Sequence, residues 1–594
     1  MTYVFDGTFG ATAGPNGVRF RLWAPAVQRA RVALRDERGE REIAMTSMPG
    51  GWFEAADARA AHGTRYAYLL DDDALRYPDP ASRFQPDGVH GDSAVVDPAR
   101  HVWPASAWQP GPWPEQVVYE LHLGTFTPEG TCASAETKLA YLAELGITAI
   151  ELMPLSQAPG ARTWGYDGVL PYAPNEIYGT PDDVKHFVSA AHGHGLAVYL
   201  DVVYNHFGPE GSFLHRYAPQ FFTQRHATPW GAAIDYSSPG NDPVRAYFIE
   251  NALYWLAEYR FDGLRFDATQ CIYDERSPAV LPELLGRARA LDRPVHLVVE
   301  NDLNEIALQR AGYDAQWNDD VHHAAHVLAT GQKDGYYADY AERPALWFAR
   351  ALASGYAYQG DASGIRAGEP RGSPSAELPL AHFVNFLQNH DQIGNRPLGE
   401  RIGALAKPEA LRAALACVLL APSVPLLFMG EEWNASAPFE FFCDFEPELA
   451  RAVREGRARE FATFEGFATG EAELPDATDP ATFERCKLDW SELALDEHAA
   501  WLAFYRELLA KRRSEIVPLV RGLRGTAATF ATLGDGGARV AWRLDDGRTL
   551  RLDANLTAAP LAGFAAAPGV PLYTLAAVTS DTTLAPWSVR WSLG

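Results

Sequence analysis

Cysteine is scarce in this sequence, with five in 594 residues at positions 132, 271, 417, 443 and 486. The number is odd, the spacing is wide and no C-x-x-C occurs. That pattern excludes a disulfide framework and a cysteine-rich zinc site, and it favours a reducing compartment. The first ten residues, MTYVFDGTFG, have neither a basic stretch nor an apolar core, so no signal peptide is expected and the location reads as cytoplasmic. Positive charge is also in deficit. Against 76 Asp and Glu stand 51 Lys and Arg, a net −25 spread along the chain. This argues against a phosphate-binding surface, and no nucleic-acid partner is expected. Long apolar runs are missing too. The longest, Ala413–Met429, is broken by Pro422 and Pro425. It is too short to span a bilayer and reads as a helix running into a strand. With no route to secretion, Asn434-Ala-Ser and Asn555-Leu-Thr match the glycosylation pattern by chance.

Aromatic residues, by contrast, are plentiful, with 16 Trp, 25 Tyr and 29 Phe, in a composition that is 47% hydrophobic. Most belong in a large core, but rings also stack well on sugar faces. Excess negative charge suits solubility and an uncharged substrate.

Residues 1–108 hold short alternating runs such as Val18-Arg-Phe-Arg-Leu-Trp23 and Ala30-Arg-Val-Ala-Leu34, punctuated by Gly and Pro, which predict a small β-sandwich. A Pro-rich stretch, Trp103 to Pro114, marks a boundary. Residues 109–515 then alternate strand and helix. Strand-like runs are Val117–Phe126, Ile147–Leu155, Leu196–His206, Phe261–Thr269, Pro294–Asp302, Asp314–Asp320, Ala381–Asp391 and Val424–Trp433. Between them fall helical candidates, among them Ser134–Leu145, Pro181–His194, Pro243–Tyr259, Pro278–Ala290, Pro344–Ser354 and Pro408–Leu420, with a further helix from Glu497 to Arg513. Several carry Pro near the start, its favoured helical position. Eight such repeats predict an α/β fold, a (β/α)8 TIM barrel. A doubly wound sheet would need a glycine fingerprint after its first strand, and none is present. Long insertions follow strands 2 (156–179), 3 (207–241) and 6 (321–380). From 516 to 594 short strands resume and predict a C-terminal β-domain.

Within Phe261-Asp-Gly-Leu-Arg-Phe-Asp-Ala-Thr269, alternation puts Arg265 and Asp267 on one face and Leu264 and Phe266 on the other. A cation beside a carboxylate favours its ionised form. Charged residues gather at the C-terminal ends of the strands, where barrel enzymes keep their chemistry. They are Asp201 to His206 on strand 3, Arg265 and Asp267 on strand 4, Glu300 on strand 5 and Asn389-His-Asp391 on strand 7. Three carboxylates and two imidazoles at one mouth require a purpose, because unpaired buried charge is costly. No H-E-x-x-H, Ser-His-Asp order or P-loop competes, and neither metal nor cofactor is expected.

Asp201-Val-Val-Tyr-Asn-His206, Gly263-Leu-Arg-Phe-Asp-Ala268, the following Glu300 and Asn389-His-Asp391 resemble the α-amylase family of retaining glycoside hydrolases and transglycosylases. The resemblance implies that Asp267 is the nucleophile and Glu300 the general acid, protonated at working pH and later the base. Asp391 is implied to grip two hydroxyls of the distorted sugar. His206 and His390 would donate to the same ring, Tyr166 would be its stacking platform, and Asp201 a partner of Arg265. Further segments, including Tyr119 to Thr131, Gln316-Trp-Asn-Asp-Asp-Val-His-His323, Gly331 to Tyr337 and Glu432 to Phe442, are similar to the trehalohydrolase branch. Enzymes of that branch cut malto-oligosyltrehalose next to its terminal trehalose. Asp320 and His323 become candidates for contact with the leaving disaccharide. After Asp267-Ala-Thr comes Gln270, where many relatives carry His. A glycogen branching or debranching enzyme, or a non-catalytic glucan-binding protein on the same fold, are the alternatives.

Overall fold

A computed structural model describes residues 5, 7–104, 108–463, 473–566, 569–576, 578–580 and 582–594. Residues 1–4 and 6 of the N-terminus and 105–107 of the Pro-rich boundary lie outside them. The first strands pair into two four-stranded antiparallel sheets. In Gly17–Trp23, Val18, Phe20 and Leu22 are buried and the arginines between them are not fully so, the period-2 signature of a sandwich.

Eight parallel strands then close into a barrel: β1 Val118–Leu121, β2 Ala149–Leu152, β3 Ala197–Val202, β4 Gly263–Phe266, β5 His296–Val299, β6 Ala315–Trp317, β7 Phe383–Asn385 and β8 Val424–Phe428. The strands are shorter than the sequence runs that announce them, because each run continues past its strand into the loop that bears the polar residues. Inward side chains fill the barrel in layers. Ala149, Ala197, Tyr199, Val298, Val384 and Leu426 form an apolar lower part, with Glu120, Glu151, Asp201 and Arg265 above. Gly263 makes room for this packing. A Cβ there would lie 2.3 Å from the His296 carbonyl oxygen and 2.8 Å from the Tyr199 ring.

The surrounding helices include Pro181–Gly193, Asp242–Ala257, Val280–Arg289, Pro408–Leu419 and Asp496–Lys511. The expected helix over 134–145 is two pieces, Cys132–Glu136 and Leu139–Leu145. A larger departure concerns strand 6. It stops at Trp317, and Asp319 opens a helix, Asp319–Thr330, where acidic residues in the first turn complement the helix dipole. The expected strand-end residues Asp320 and His323 therefore lie on that helix, within the long insertion.

Both flanking domains grip barrel helices. From the sandwich, Thr8 hydrogen-bonds Glu250 at 2.7 and 2.6 Å, and the Pro80 carbonyl accepts from the Tyr247 hydroxyl at 2.5 Å. The buried Arg83 guanidinium sits over the rings of Tyr172 (4.5 Å) and Tyr254 (4.4 Å). At the other end a five-stranded sheet packs on the helices Pro344–Ser354 and Pro408–Leu419, with Trp591 Nε1 donating to the Ala416 carbonyl at 3.0 Å. Buried Arg512 donates to the carbonyls of Leu419, Ala421 and Ser423 at 2.6–3.0 Å, which caps the helix C-terminus. Among the described residues no helix is long and apolar enough to cross a membrane.

Gly263→Ala is expected to be strongly destabilising, since a Cβ only 2.3 Å from a backbone oxygen has no room and overpacking costs about 1–3 kcal/mol. Thermal unfolding should show a drop in Tm of several degrees or failure to accumulate folded protein. An unchanged Tm would contradict the packing described.

Candidate active site

Arg265 is fully buried at the top of β4. Its guanidinium lies 4.0 Å over the Trp317 ring, which walls off one face and leaves the planar edge for hydrogen bonding. Along that edge Nη1 donates to Asp201 Oδ2 at 2.7 Å and to Asp267 Oδ1 at 3.0 Å, and Nη2 donates to Glu300 Oε2 at 2.7 Å. Carboxylates from three adjacent strands thus share one cation. Asp267 is held from the other side by Asn205 Nδ2, 2.7 Å from its Oδ2. Glu300 also accepts from the Ala268 backbone N at 2.9 Å. Ala268 reaches that position with φ +38°, left-handed backbone that costs a non-glycine residue roughly 1–2 kcal/mol. The strain follows directly after Asp267 and turns its neighbour toward Glu300.

Burial raises the pKa of Glu300; Arg265 opposes the shift and Asp267 adds to it. Asp201 is pushed up to about 7 by burial against the pull of Arg265, and it accepts the Tyr166 hydroxyl at 2.5 Å. The Tyr166 ring lies nearly parallel to His390, centroids 5.0 Å apart. His390 opens the short helix His390–Gly394 that follows β7, and Asp391 is the next residue. Burial works against a charged His390, but Asp391 and Glu120 outweigh it and hold its pKa at about 9. Asp391 is the most open of the three carboxylates, with 35% of its side chain exposed against 10% for Asp267 and 17% for Glu300.

The structure thus brings together Tyr166, Asp201, Arg265, Asp267, Glu300, His390 and Asp391. Three residues sit otherwise than expected. His206 has both ring nitrogens beside protein oxygens, Asn205 Oδ1 and the Tyr166 carbonyl, and burial lowers its pKa to about 4, so the neutral ring donates its one N–H to one of these oxygens and has none left for a sugar. Asp320 is fully buried and turned inward, where its oxygens accept from Asn304, Tyr340 and the backbone N of Ala357 and Tyr358, with Arg371 3.3 Å away. It organises the insertion and has no oxygen free for a ligand. His323 lies behind, packed among the rings of Tyr336, Tyr337 and Tyr340. Its neighbour one helical step earlier takes the outward place. Asp319 is half-buried and pushed up to about 7 by burial, then by Glu300 and Asp391, against Arg371, and it accepts from Gln392 Nε2 at 2.9 Å.

Other residues escaped the sequence reading. Trp230, at the tip of the hairpin Phe222–Thr228 and Gly231–Ile234, is 49% exposed and stacks on His206 at 4.5 Å and 11°. An exposed Trp in a turn has no periodicity to betray it. Glu120 falls within Tyr119 to Thr131, and the one signal for it in the sequence is an acid in an otherwise apolar strand. Gln270 keeps Oε1 buried with no hydrogen-bond partner among the described residues.

Residues 90–228 match the family described as alpha amylase, catalytic domain; 8–83 match carbohydrate-binding module 48 (isoamylase N-terminal domain); and 525–591 match a domain of unknown function. The malto-oligosyltrehalose trehalohydrolase of Deinococcus radiodurans is 43% identical over 547 residues, covering 90% of this chain and 89% of that protein. That of Saccharolobus solfataricus is 38% identical, covering 85% and 87%. The chain belongs to the malto-oligosyltrehalose trehalohydrolase family. Within the wider α-amylase family the fold is shared broadly. A candidate alpha amylase from Salmonella typhimurium is 46% identical with a TM-score of 0.93, covering 99% of this chain and all of that one. A pullulanase from Anoxybacillus, crystallised with maltotetraose, is 18% identical with a TM-score of 0.72 and shows the fold alone. A branching enzyme of Rhizobium etli is 26% identical over 77% of this chain. The chain is a glycoside hydrolase of the α-amylase family.

Replacing Arg265 by Met leaves Asp201, Asp267 and Glu300 without their common cation, and stranding buried charge costs about 3–5 kcal/mol. The raised carboxyls take up protons as pH falls, and without Arg265 the Asp201 pKa lies above its present value of about 7, so the repulsion is relieved in acid and grows as the pH rises. The loss of Tm should therefore be larger at pH 8 than at pH 5. Equal losses at both would show that the guanidinium does not balance these charges.

Proposed function

We propose that this chain is a retaining glycoside hydrolase that cuts the α-1,4-glucosidic bond next to the terminal trehalose of malto-oligosyltrehalose and releases trehalose. The observation that carries the reading is the shared guanidinium. Asp267 and Glu300 bind adjacent nitrogens of Arg265, which favours the short carboxyl separation, ~5–5.5 Å, of retaining enzymes. The 43% identical relative named for this activity supports the choice of substrate.

In this reading Asp267, fixed by Arg265 and Asn205, attacks the anomeric carbon and forms a glycosyl-enzyme. Glu300, whose raised pKa keeps its proton, delivers that proton to the leaving oxygen and then activates water. Asp391 and His390 hold hydroxyls of the reacting ring, and Tyr166 supports its face. The leaving trehalose lies toward Asp319, Gln392 and Tyr336, polar groups that a bent non-reducing disaccharide can satisfy and a linear glucan cannot. A site of that kind discriminates strongly, because a poor match leaves buried groups unpaired. Cysteine usage supports a cytoplasmic location.

Asp267→Asn and Glu300→Gln should each lower kcat by at least about a thousandfold while circular dichroism stays native. Activity of the unmutated chain should fall as pH rises through the raised pKa of Glu300, and Glu300→Gln should abolish that alkaline limb in the residual rate. A limb that survives unchanged assigns the proton to another group.

Maltopentaosyltrehalose should yield maltopentaose and trehalose far faster than maltoheptaose is cleaved, with the α-anomer of maltopentaose released first. Asp319→Asn should erode the preference between the two substrates. Comparable kcat/KM on both would leave only a general α-1,4-glucan enzyme, and a change in iodine staining of amylose would favour branching.

A further inference from the structure

Glu120 points into the barrel from β1, 1% exposed. Both carboxylate oxygens are spent on a single residue 270 positions away. Oε1 lies 2.5 Å from His390 Nδ1, and Oε2 accepts the His390 backbone N at 3.1 Å. The ring so held is boxed on its other sides by Tyr166 in parallel, by Trp164 edge-on at 5.6 Å and by Trp317 at 5.9 Å. Its remaining nitrogen, Nε2, faces Asp391 Oδ1 at 3.6 Å. Imidazole chemistry makes this arrangement decisive. A neutral ring donating from Nδ1 to Glu120 has a bare lone pair at Nε2, which would face a carboxylate and could give no hydrogen to a sugar hydroxyl. The doubly protonated ring satisfies Glu120 and still donates outward.

The charged groups facing His390 come from every neighbouring element: Glu120 on β1, Glu151 on β2, Asp201 on β3, Arg265 on β4, Glu300 after β5, and Asp391 on its own helix. His122, after β1, adds a weak opposing contribution. Glu151 sits beside Glu120 in strand register. It is held well above the usual carboxylate range by burial, then by Glu120 and Asp201. Its Oε1 has no hydrogen-bond partner among the described residues. Of these two adjacent buried acids, then, Glu151 is the one whose surroundings favour the protonated form.

We propose that Glu120 is a positioning residue of the reaction, acting on the sugar through His390 by fixing the plane of the imidazole and holding it doubly protonated. The inference rests on the proposed role of His390 and Asp391 at the sugar ring. Its effect is to present a permanent donor at Nε2 and a positive charge beside Asp391.

The test uses the full chain with ring-labelled histidine, followed by NMR from pH 6 to 10, the His390 signal being assigned by its loss in His390→Gln. The unmutated chain should show an imidazolium at pH 7.5 that titrates near 9. In Glu120→Gln the titration should move down by at least about one pH unit, a tenfold loss of proton affinity. Kinetics supply a second readout. Glu120→Gln and His390→Gln should each lower kcat/KM by about ten- to a hundredfold, and the double variant should be no slower than His390→Gln alone. A neutral His390 at pH 7.5 in the unmutated chain overturns the proposal, and so do losses that multiply in the double variant. Should Glu120→Gln not fold, Glu120→Asp takes its place, where withdrawal of the carboxylate from Nδ1 should also move the titration down and an unmoved titration overturns the proposal. Failure of the unmutated chain to cleave any α-1,4-glucan would count against the proposed function, whereas the shift of the His390 titration on replacing Glu120 bears on Glu120 whatever the substrate.

Discussion

One buried guanidinium governs the chemistry of this molecule. Arg265 is fully buried, and an isolated cation in such a place is costly by several kcal/mol. The structure answers with carboxylates from β3, β4 and the end of β5 and with the Trp317 face beneath. Neutrality then constrains the carboxylates in turn. Three acids cannot all be ionised around a single positive charge in a desolvated site, so a proton must reside on one of them. It belongs on a group whose raised pKa lets it act as an acid, which is the asymmetry a two-carboxylate glycosidase needs. The same arithmetic is repeated beside it, where His390 lies between Glu120 and Asp391. The barrel mouth is thus two interlocked ion clusters joined through the Tyr166 ring, which hydrogen-bonds one and stacks on the other.

The barrel could be read from the sequence because each strand announces itself twice, once as an apolar run and again in the polar residues that follow it. Arg265 and Asp267 were placed correctly for that reason. They are two apart on a strand, and strand geometry leaves no choice of face. Where the backbone turns helical the rule fails. A helix rotates each successive side chain by about 100°, so an error of a single residue at its start exchanges an outward group for an inward one. The segment offers Asp320 as readily as Asp319, and Asp319 is the side chain that feels the charge of Glu300. Nothing in the local pattern separates them, since only the packing of Tyr340, Ala357 and Tyr358 from a distant stretch of the insertion decides which is enclosed.

Contacts that join remote parts of the chain were out of reach for the same reason. Glu120 and His390 lie 270 residues apart, and neither residue alone specifies the other. The commitment of His206 to Asn205 and the Tyr166 carbonyl is likewise a property of the closed mouth. The position of the ring in the motif points to a ligand, while one of its two partners, the Tyr166 carbonyl, comes from a loop that follows a different strand.

The Arg83 side chain bears on how such a protein can be rebuilt. Its guanidinium leaves the sandwich and enters an aromatic slot made by Tyr172, in the insertion after β2, and Tyr254, in the helix that leads into β4. The front domain is therefore keyed to the element that delivers Arg265. In recombination, a front domain taken from another protein is compatible with this barrel only if it brings a cation of the same reach, or if the slot is refilled. Exchange between lineages should then be expected at the level of domain and helix together, with the sequences of Arg83, Tyr172 and Tyr254 inherited as one unit although they are scattered along the gene.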